Sequence, residues 1–259
     1  MLILLSPAKT LDFSPLESEL PTTEPALLTD ANRLAKQVKQ LASAELRELM
    51  GISDKLAIAT HGYFASWKAT AAAAARVSKP AALAFRGDVY QGLAADDFHA
   101  DDWEFAQRHV RILSGLYGVL RPLDRIQPYR LEMGAPLATE RGDNLYAYWG
   151  ERIRKLLAKE LRAAESPTIV NLASQEYARA ARLGELAGQA ITPSFRDRHD
   201  GKYKVLSFFA KRARGAMARW LVQRRIVDAD DVLKFRADGY RLNRELSTAD
   251  APVFTRDKP

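Results

Sequence analysis

The amino-acid sequence predicts a single α+β domain with short strands, many helices and an embedded helix-hairpin-helix motif. Two observations predict this class. Short apolar runs typical of strands are scattered between longer segments with helical periodicity, which favours a mixed fold over a regular doubly wound sheet. No repeat, low-complexity linker or shift in composition divides the 259 residues, so one domain over 1–259 is expected.

In the first half of the chain, Leu2–Leu5 is wholly apolar and predicts a buried strand, and the Pro- and Ser-rich stretch 14–25 predicts a surface loop. Periodicity predicts helices at 30–40, 43–64, 69–77 and 101–111. Short apolar runs predict strands at 81–85 and 112–113.

The second half begins with a long segment, 113–134, punctuated by Gly and Pro and rich in polar residues. A loop of this length in a compact domain is usually functional. Helices are predicted at 146–164, 174–183 and 203–225, and Asp228 is expected to cap a short element. Strands are predicted at 168–172, 191–196, 240–243 and 252–255.

The segment 46–57, LRELMGISDKLA, has the pattern of a helix-hairpin-helix within about 43–64. Gly51 can end the first helix in a left-handed conformation, Ile52 can pack between the helices, and Ser53 can cap the second helix. The exposed amides of such a turn, with Lys55 beside them, would attract phosphate. The motif normally has a second glycine where this chain has Ser53, so an ordinary helical corner is the alternative.

The tract 201–227 contains no Asp or Glu and predicts a basic amphipathic helix at about 203–225. Val205, Phe209, Ala213, Ala216, Met217 and Trp220 share its apolar stripe. A face of a single charge sign favours a polyanionic partner, because like charges repel without one. Nucleic acid is preferred over a membrane surface, since Arg224 falls on the stripe. The candidate DNA-binding residues are Gly51, Ile52, Ser53, Lys55, Lys204, Lys211, Arg212, Arg214, Arg219 and Arg225.

Five sequence blocks resemble those of the YaaA family of bacterial peroxide stress resistance proteins. They are SPAKTLDF at 6–13, FRGDVYQGL at 85–93, LSGLYGVLRPLDRIQPYRLEMG at 113–134, VNLASQEY at 170–177 and FAKRARG at 209–215. The likeness runs in order over nearly the whole chain. It implies a cytosolic protein with an unusual mixed fold that contains a helix-hairpin-helix and binds double-stranded or branched DNA. It also implies a role in limiting oxidative damage by lowering intracellular free iron.

The same blocks are dense in polar side chains, which favours a cleft able to hold a phosphate or carboxylate. The candidate cleft residues are Ser6, Lys9, Arg86, Asp88, Tyr90, Arg121, Tyr129, Arg130 and Glu132, together with Asn171, Ser174, Glu176 and Lys211. Lys9 and Glu132 are the candidates for proton transfer. The alternatives are a functional cleft, with or without catalysis, and a polar network that only fixes loops. Binding of DNA without catalysis is the favoured interpretation, and an enzyme acting on a small anionic or nucleotide substrate is the alternative.

Composition and residue spacing also limit the possible partners, metal sites, cofactors and cellular location of the protein. The formal net charge of +7 agrees with a polyanionic partner, and the lack of cysteine excludes disulfides, thiol catalysis and cysteine-ligated metals. The four histidines have no ligand-like spacing, so no metal and no cofactor are expected, and Asp101 and Asp102 are interpreted as helix-capping residues rather than ligands. No secretory signal or membrane span is evident, which predicts a cytoplasmic protein. A monomer is expected, although the sequence itself fixes no oligomeric state.

Overall fold

Short strands alternate with helices in residues 1–16, 19–164 and 166–257, which the computed structural model describes. The helices are α1 Leu28–Val38, α2 Ser43–Met50, α3 Asp54–Ala65, α4 Ala71–Ala74, α5 Ala81–Ala84, α6 Asp88–Leu93, α7 Ala100–His109, α8 Leu145–Trp149, α9 Arg152–Ala163, α10 Gln175–Ala181, α11 Ser207–Gln223 and α12 Ala229–Val232. The strands are β1 Leu2–Leu5, β2 Thr10–Leu11, β3 Lys79–Pro80, β4 Phe85–Arg86, β5 Val110–Ser114, β6 Gly118–Leu120, β7 Arg125–Ile126, β8 Thr168–Asn171, β9 Gln189–Ile191, β10 Ser194–His199, β11 Lys202–Lys204, β12 Arg241–Leu242 and β13 Val253–Arg256. Of the helices described, none has the length and apolar character needed to cross a membrane.

A five-stranded sheet in the order β6-β5-β1-β8-β9 forms the centre of the molecule. Strand β1 lies in its middle and pairs in parallel with β5 and β8, while β6 forms an antiparallel edge. All four residues of β1 are fully buried, as expected for a strand covered on both faces. Because β1 and β8 are parallel neighbours, the segments that follow them emerge at the same edge of the sheet.

A four-stranded sheet in the order β11-β10-β13-β12 packs beside this centre. Its inner strand β13 runs parallel to β10 and antiparallel to β12. Phe195 and Phe254 stack across β10 and β13 with ring centroids 5.7 Å apart, and Phe235 packs edge-on against both. These rings belong to the same buried cluster as β1, so one core joins the two sheets.

Helices α6 and α11 cross at an unusually short distance because both carry glycine at the crossing. A Cβ atom built on Gly215 would lie 1.8 Å from the Val89 carbonyl oxygen, and one on Gly92 would lie 2.1 Å from that of Arg212. No side chain fits at either position without moving a backbone. The crossing therefore fixes the start of α6 relative to the middle of α11.

The predicted α+β class is confirmed. Several predicted boundaries are wrong. Residues 81–84 form α5 rather than a strand, because the Ala81 and Ala82 amides bond to the Asp124 and Pro122 carbonyls as the helix begins. The predicted helix at 146–164 is two helices, α8 and α9, separated at Gly150, where φ is +45°.

The basic helix is also shorter than predicted, covering Ser207–Gln223 rather than 203–225. Residues 202–204 form β11 instead, because they pair with β10. Val205 is therefore not part of the buried stripe and is 57% exposed. Ala213 and Met217 do face the core, as predicted.

Residues 43–65 form two packed helices, α2 and α3, which we call the helical hairpin. Gly51 ends α2 at φ +59°, and the amides of Gly51 and Ile52 both bond to the Arg47 carbonyl oxygen. The Ser53 hydroxyl accepts a hydrogen bond from the Leu56 amide at 3.4 Å, which is a long N-cap. This is the local geometry that the sequence predicts, and its use as a DNA-binding helix-hairpin-helix remains a prediction.

Candidate functional site

A cleft of about 460 Å³ opens at the edge of the central sheet where β1 and β8 end. Sites outside the carboxyl ends of parallel strands are typical of α/β sheets. The cleft is lined by Ser6, Pro7, Ala8, Lys9, Thr10, Arg86, Gly87, Asp88, Val89, Tyr90, Tyr129, Arg130, Leu131, Glu132, Ser174, Glu176, Tyr177, Lys211 and Arg214. These residues come from five segments that are far apart in the sequence.

Hydrogen bonds between segments hold the walls of the cleft together. The Ser6 hydroxyl accepts a hydrogen bond from the Ser174 amide at 2.8 Å, which joins the turn after β1 to the turn after β8. The Tyr90 hydroxyl donates to the Ser6 carbonyl oxygen at 2.9 Å. The Glu176 carboxylate accepts from the Gly134 amide at 2.8 Å. The cleft is thus built from mutually bonded loops.

Ion pairs satisfy several of the charges in the cleft. The Lys9 Nζ atom lies 2.7 Å from Glu132 Oε2, and Arg130 lies 3.1 Å from the other oxygen of the same carboxylate. Arg86 bridges Asp12 at 3.1 Å and Asp96 at 2.8 Å. The hydrogen bond to Asp96 is the main cause of a raised pKa for Arg86. The two candidates for proton transfer, Lys9 and Glu132, are therefore in direct contact.

Three tyrosine rings, Tyr90, Tyr129 and Tyr177, form the floor of the cleft. The Tyr129 hydroxyl shares a hydrogen bond with the Ser114 hydroxyl at 2.7 Å, away from the solvent. Burial raises the pKa of all three phenols. These side chains are neutral, and only 3–6% of each is exposed.

Asp88, Lys211 and Arg214 line the same cleft but form no ion pair with any other described residue. Lys211 and Arg214 lie one helical turn apart on α11, and Asp88 is the first residue of α6. Arg214 is half-buried, and this burial lowers the pKa of its guanidinium. An uncompensated charge in a half-buried position is costly, so these groups favour a charged ligand.

The structure brings eight of the nine predicted cleft residues together, and the ninth, Arg121, lies elsewhere. Its guanidinium pairs with Asp124 at 3.3 Å because a tight turn folds the two residues onto each other. Of the four further candidates, Ser174, Glu176 and Lys211 line the cleft. Asn171 does not, since its side chain bonds to the Ala173 amide at the end of β8.

The sequence did not place Tyr177 and Arg214 in the cleft, although both contribute to its floor or its charge. Tyr177 ends the block 170–177 that supplies Ser174 and Glu176. Arg214 follows Lys211 by three residues, and residues three apart share a helix face. Both could have been found from their spacing to residues already placed in the cleft.

The ten predicted DNA-binding residues do not form one continuous surface of free charge. Arg219 pairs with Asp97 at 3.3 Å, Arg225 with Asp102 at 2.7 Å, and Lys204 with Asp200 at 3.6 Å. These carboxylates come from the segments packed beside α11, so the expected single-sign face of 203–225 is partly neutralised. Lys211, Arg212 and Arg214 form no ion pair within the described part of the chain.

The helical hairpin and α11 have different packing partners. Helix α3 packs against α1, whereas α11 packs against α6, α7, β1 and β10. Gly51, Ser53 and Lys55 are exposed and Ile52 is half-buried, and none of the four lines the cleft. Lys55 follows Asp54, whose carboxylate pairs with Arg47 at 3.1 Å at the start of α3. This carboxylate weakens the attraction of the helix N-terminus for phosphate.

The acidic side chains near His99 pair with other parts of the fold. Asp96 and Asp97 pair with arginines from other elements, and Asp102 accepts a hydrogen bond from the His99 amide at 3.1 Å. Across residues 1–16, 19–164 and 166–257, no three His, Asp or Glu side chains converge in a way that could hold a metal ion.

Comparison with known proteins identifies the family. The family model described as "Peroxide stress protein YaaA" matches residues 1–246. The chain is 47% identical to a UPF0246 protein of Saccharophagus degradans over 256 residues, covering 99% of each chain. It is 47% identical to one of Cellvibrio japonicus over the full length of both, and 49% identical to one of Tolumonas auensis over 99% of this chain and 98% of the relative. This chain therefore belongs to the peroxide stress protein YaaA family.

Proposed function

We propose that this protein binds the phosphate backbone of double-stranded or branched DNA without sequence preference during peroxide stress. The observation that supports this most is the cationic surface of α11. This 17-residue helix contains no acidic residue, and Lys211, Arg212 and Arg214 have no carboxylate partner among the described residues. Phosphate would compensate these charges, and such contacts carry no sequence information.

The contact surface in this proposal is smaller than the one the sequence predicts. Arg219 and Arg225 already donate to carboxylates and carbonyls of neighbouring segments, so a phosphate would have to compete for them. Lys211, Arg212 and Arg214 are the principal contacts. The turn at Gly51 with Lys55 is the second proposed contact, on the surface of the helical hairpin.

The test is a fluorescence anisotropy titration with a labelled duplex and a four-way junction over a range of salt concentrations. We expect log K to fall linearly with log salt, and the Lys211→Ala/Arg212→Ala variant to lose about 0.9 of slope for each phosphate contact removed. Lys155→Ala is the control, since this exposed lysine of α9 also lacks an ion pair in the described chain. Equal affinity of all three proteins for DNA would refute the contact surface.

The hairpin is tested separately with a matched pair of variants. Gly51→Asp and Gly51→Asn both place a small polar residue that tolerates the left-handed conformation, but only aspartate adds a negative charge. We expect aspartate to weaken DNA binding and asparagine to leave it close to the wild type. If the two variants bind equally well, the hairpin does not contact phosphate.

We further propose that the family's role in limiting iron-dependent damage is indirect and follows from covering DNA. Nicking of plasmid DNA by ferrous iron and peroxide should slow in the presence of the protein. The Lys211→Ala/Arg212→Ala variant should protect less. Equal protection by wild type and variant would show that DNA binding at this surface is not the cause.

The cleft supports a second candidate function, an enzyme for a small anionic or nucleotide substrate. The observation that favours it is the convergence of five cationic side chains and three carboxylates around one cavity. The contact between Lys9 and Glu132 gives a proton donor and acceptor on one wall. A ligand that raises Tm in wild type but not in Lys9→Ala would support this function.

A further inference from the structure

The charged groups of the cleft divide into a satisfied set and an unsatisfied set. Lys9, Arg130 and Glu132 form one ion-paired cluster, and Arg86 is held by Asp12 and Asp96. Glu176 has no ion pair in the described structure, but its carboxylate accepts a hydrogen bond from the Gly134 amide. Asp88, Lys211 and Arg214 remain without an ion pair in the described structure. The satisfied set can act as a rigid wall, whereas the charged groups of the unsatisfied set are available to contact a ligand.

The unsatisfied groups lie on two helices whose relative position is fixed. Asp88 precedes Val89, and Arg214 precedes Gly215, and these are the residues in contact at the α6–α11 crossing. Opposite charges so close to one crossing would normally pair if their side chains could meet. Here they border the same cavity without forming an ion pair, and the close crossing fixes the two backbones that carry them. The gap suits a ligand that contacts both charges.

The chemical groups on the α6 side and the α11 side of the cleft indicate which kind of ligand would fit. Lys211 and Arg214 supply an ammonium and a guanidinium from adjacent turns, which suits a phosphate group. The Asp88 carboxylate can accept a hydrogen bond from a hydroxyl or amino group. Pro7, Ala8 and Val89 line the cavity beside the largely buried tyrosine floor and offer apolar contacts to a planar group. A cavity of about 460 Å³ lies in the usual range for small-molecule sites.

We infer that the cleft binds a single nucleotide unit, with its phosphate on Lys211 and Arg214, a hydroxyl or amino donor on Asp88, and its base against the apolar lining beside the tyrosine floor. The unit can be a free nucleoside monophosphate or one nucleotide of a single strand. This site rests on the cleft of the second candidate function and does not require duplex binding by the surface of α11.

The experiment is isothermal titration calorimetry of the full chain with four probes: inorganic phosphate, ribose 5-phosphate, the deoxynucleoside 5′-monophosphates and a short single-stranded oligonucleotide. We expect mononucleotides to bind more tightly than ribose 5-phosphate, and inorganic phosphate to bind most weakly. If the oligonucleotide binds and free mononucleotides do not, the nucleotide belongs to a strand. Absence of binding by both mononucleotides and oligonucleotide would overturn the inference, and equal binding of ribose 5-phosphate would overturn the base contact.

Matched variants test the two charged sides of this site; Asp88 belongs to this site alone, whereas Arg214 is also a proposed DNA contact. Arg214→Met keeps the aliphatic volume of a half-buried side chain, and Asp88→Asn keeps its shape, so both should fold. We expect each to weaken nucleotide binding by about tenfold, the effect of one charge-assisted hydrogen bond. Lys155→Met, at an exposed position on α9 outside the cleft lining and outside the proposed DNA contacts, should bind nucleotide as well as the wild type does.

The two proposals fail in different ways. Nucleotide binding that is lost in Arg214→Met, without duplex binding by the wild type, would support the cleft site and refute DNA binding. Duplex binding that is lost in Arg212→Met, without binding of mononucleotide or single strand, would refute the cleft site alone. Wild-type nucleotide affinity in both Arg214→Met and Asp88→Asn would also refute the cleft site.

Discussion

At the scale of single residues, the glycines of α6 and α11 have a structural role that also serves the cleft. Gly92 and Gly215 let two helix backbones touch, and this contact sets the positions of Asp88 and Arg214. Gly62, in the middle of α3, has open space around its missing side chain. The same residue type is therefore required at one helical position and dispensable at another.

We predict that Gly215→Ala destabilises the protein by about 1–3 kcal/mol, the usual cost of overpacking, because the new methyl group meets the Val89 carbonyl oxygen. Gly62→Ala should stabilise it by about 0.5–1 kcal/mol through higher helix propensity. Urea unfolding of the two variants measures both effects. A stable Gly215→Ala protein would mean that α6 and α11 can move apart.

Asp12 gives a residue-scale prediction on pH. Hydrogen bonds from the Ser14 hydroxyl and amide, followed by Arg86 and Lys79, lower the pKa of its carboxyl. Because the folded pKa lies below the unfolded value of 3.8, its stabilisation is present above pH 3.8 and is lost as the pH falls further. Asp12→Asn should therefore lower stability at pH 7 by about 1–2 kcal/mol. In urea titrations, this difference from wild type should shrink below pH 4; a constant difference would contradict the assignment.

Individual cleft residues were predictable where a block of sequence concentrated polar groups. Ser6, Lys9, Arg86 and Asp88 belong to such blocks and line the cleft. Arg121 belongs to one as well, yet its turn directs it to Asp124. Whether a polar residue is used locally or in the cleft depends on the path of its loop, which composition does not reveal.

At the scale of elements, helix α7 is tied to the central strand through its last residue. The His109 Nδ1 atom donates a hydrogen bond to the Met1 carbonyl oxygen at 2.8 Å, and its ring lies against Phe105. Burial is the main cause of the lowered pKa of the His109 imidazole, and the positive charges of the N-terminal amine, Arg108 and Arg111 lower this pKa further. The neutral imidazole is thus part of the contact between the end of α7 and Met1, the residue before β1.

This packing predicts a stability change near neutral pH. The folded pKa of His109 lies below the unfolded value of 6.5, so protonation favours the unfolded chain. The stabilisation of the fold by neutral His109 is fully present above pH 6.5 and is lost progressively as the pH falls below that value. We expect the stability difference between pH 8 and pH 5.5, measured by urea unfolding, to be smaller in His109→Gln than in wild type. An equal difference would show that His109 is not responsible.

Helices and strands with a strong hydrophobic pattern were predictable from the sequence. Those that form only because they bond to another part of the fold were not. The apolar run of β1 and the periodicity of α11 identify a strand and a helix correctly. Residues 202–204 form β11 only because β10 pairs with them, and 81–84 form a helix only because 122–124 accept their amides. The periodicity of a short segment does not predict which distant residues will form hydrogen bonds with it.

At the scale of the whole molecule, the C-terminal strand joins the second sheet to the core. Strand β13 lies inside its sheet, Phe254 is fully buried, and Arg256 pairs with the buried Asp197 at 2.7 Å. Helix α11 packs on β10, the neighbour of β13. The end of the chain therefore supports the helix that carries Lys211 and Arg214.

We predict that Phe254→Ala lowers the free energy of unfolding by about 3–5 kcal/mol, the usual cost of removing a buried aromatic ring. Val205→Ala, at a position 57% exposed, should change it by no more than about 0.5 kcal/mol. Chemical denaturation followed by circular dichroism provides the measurement. A small loss for Phe254→Ala would mean that the four-stranded sheet contributes little to the global stability.

The sequence by itself determined the α+β class, the buried central strand, the long helix without acidic residues and the family. These depend on hydrophobic periodicity and on blocks of neighbouring residues, which are properties of the chain read locally. Only the tertiary structure decided which charges remain free. Asp97 and Asp102 neutralise Arg219 and Arg225 although more than a hundred residues separate them, while Asp88, Lys211 and Arg214 are left facing one cavity. An ion pair depends on distance in space, and the packing of α11 on α6 and α7 sets that distance.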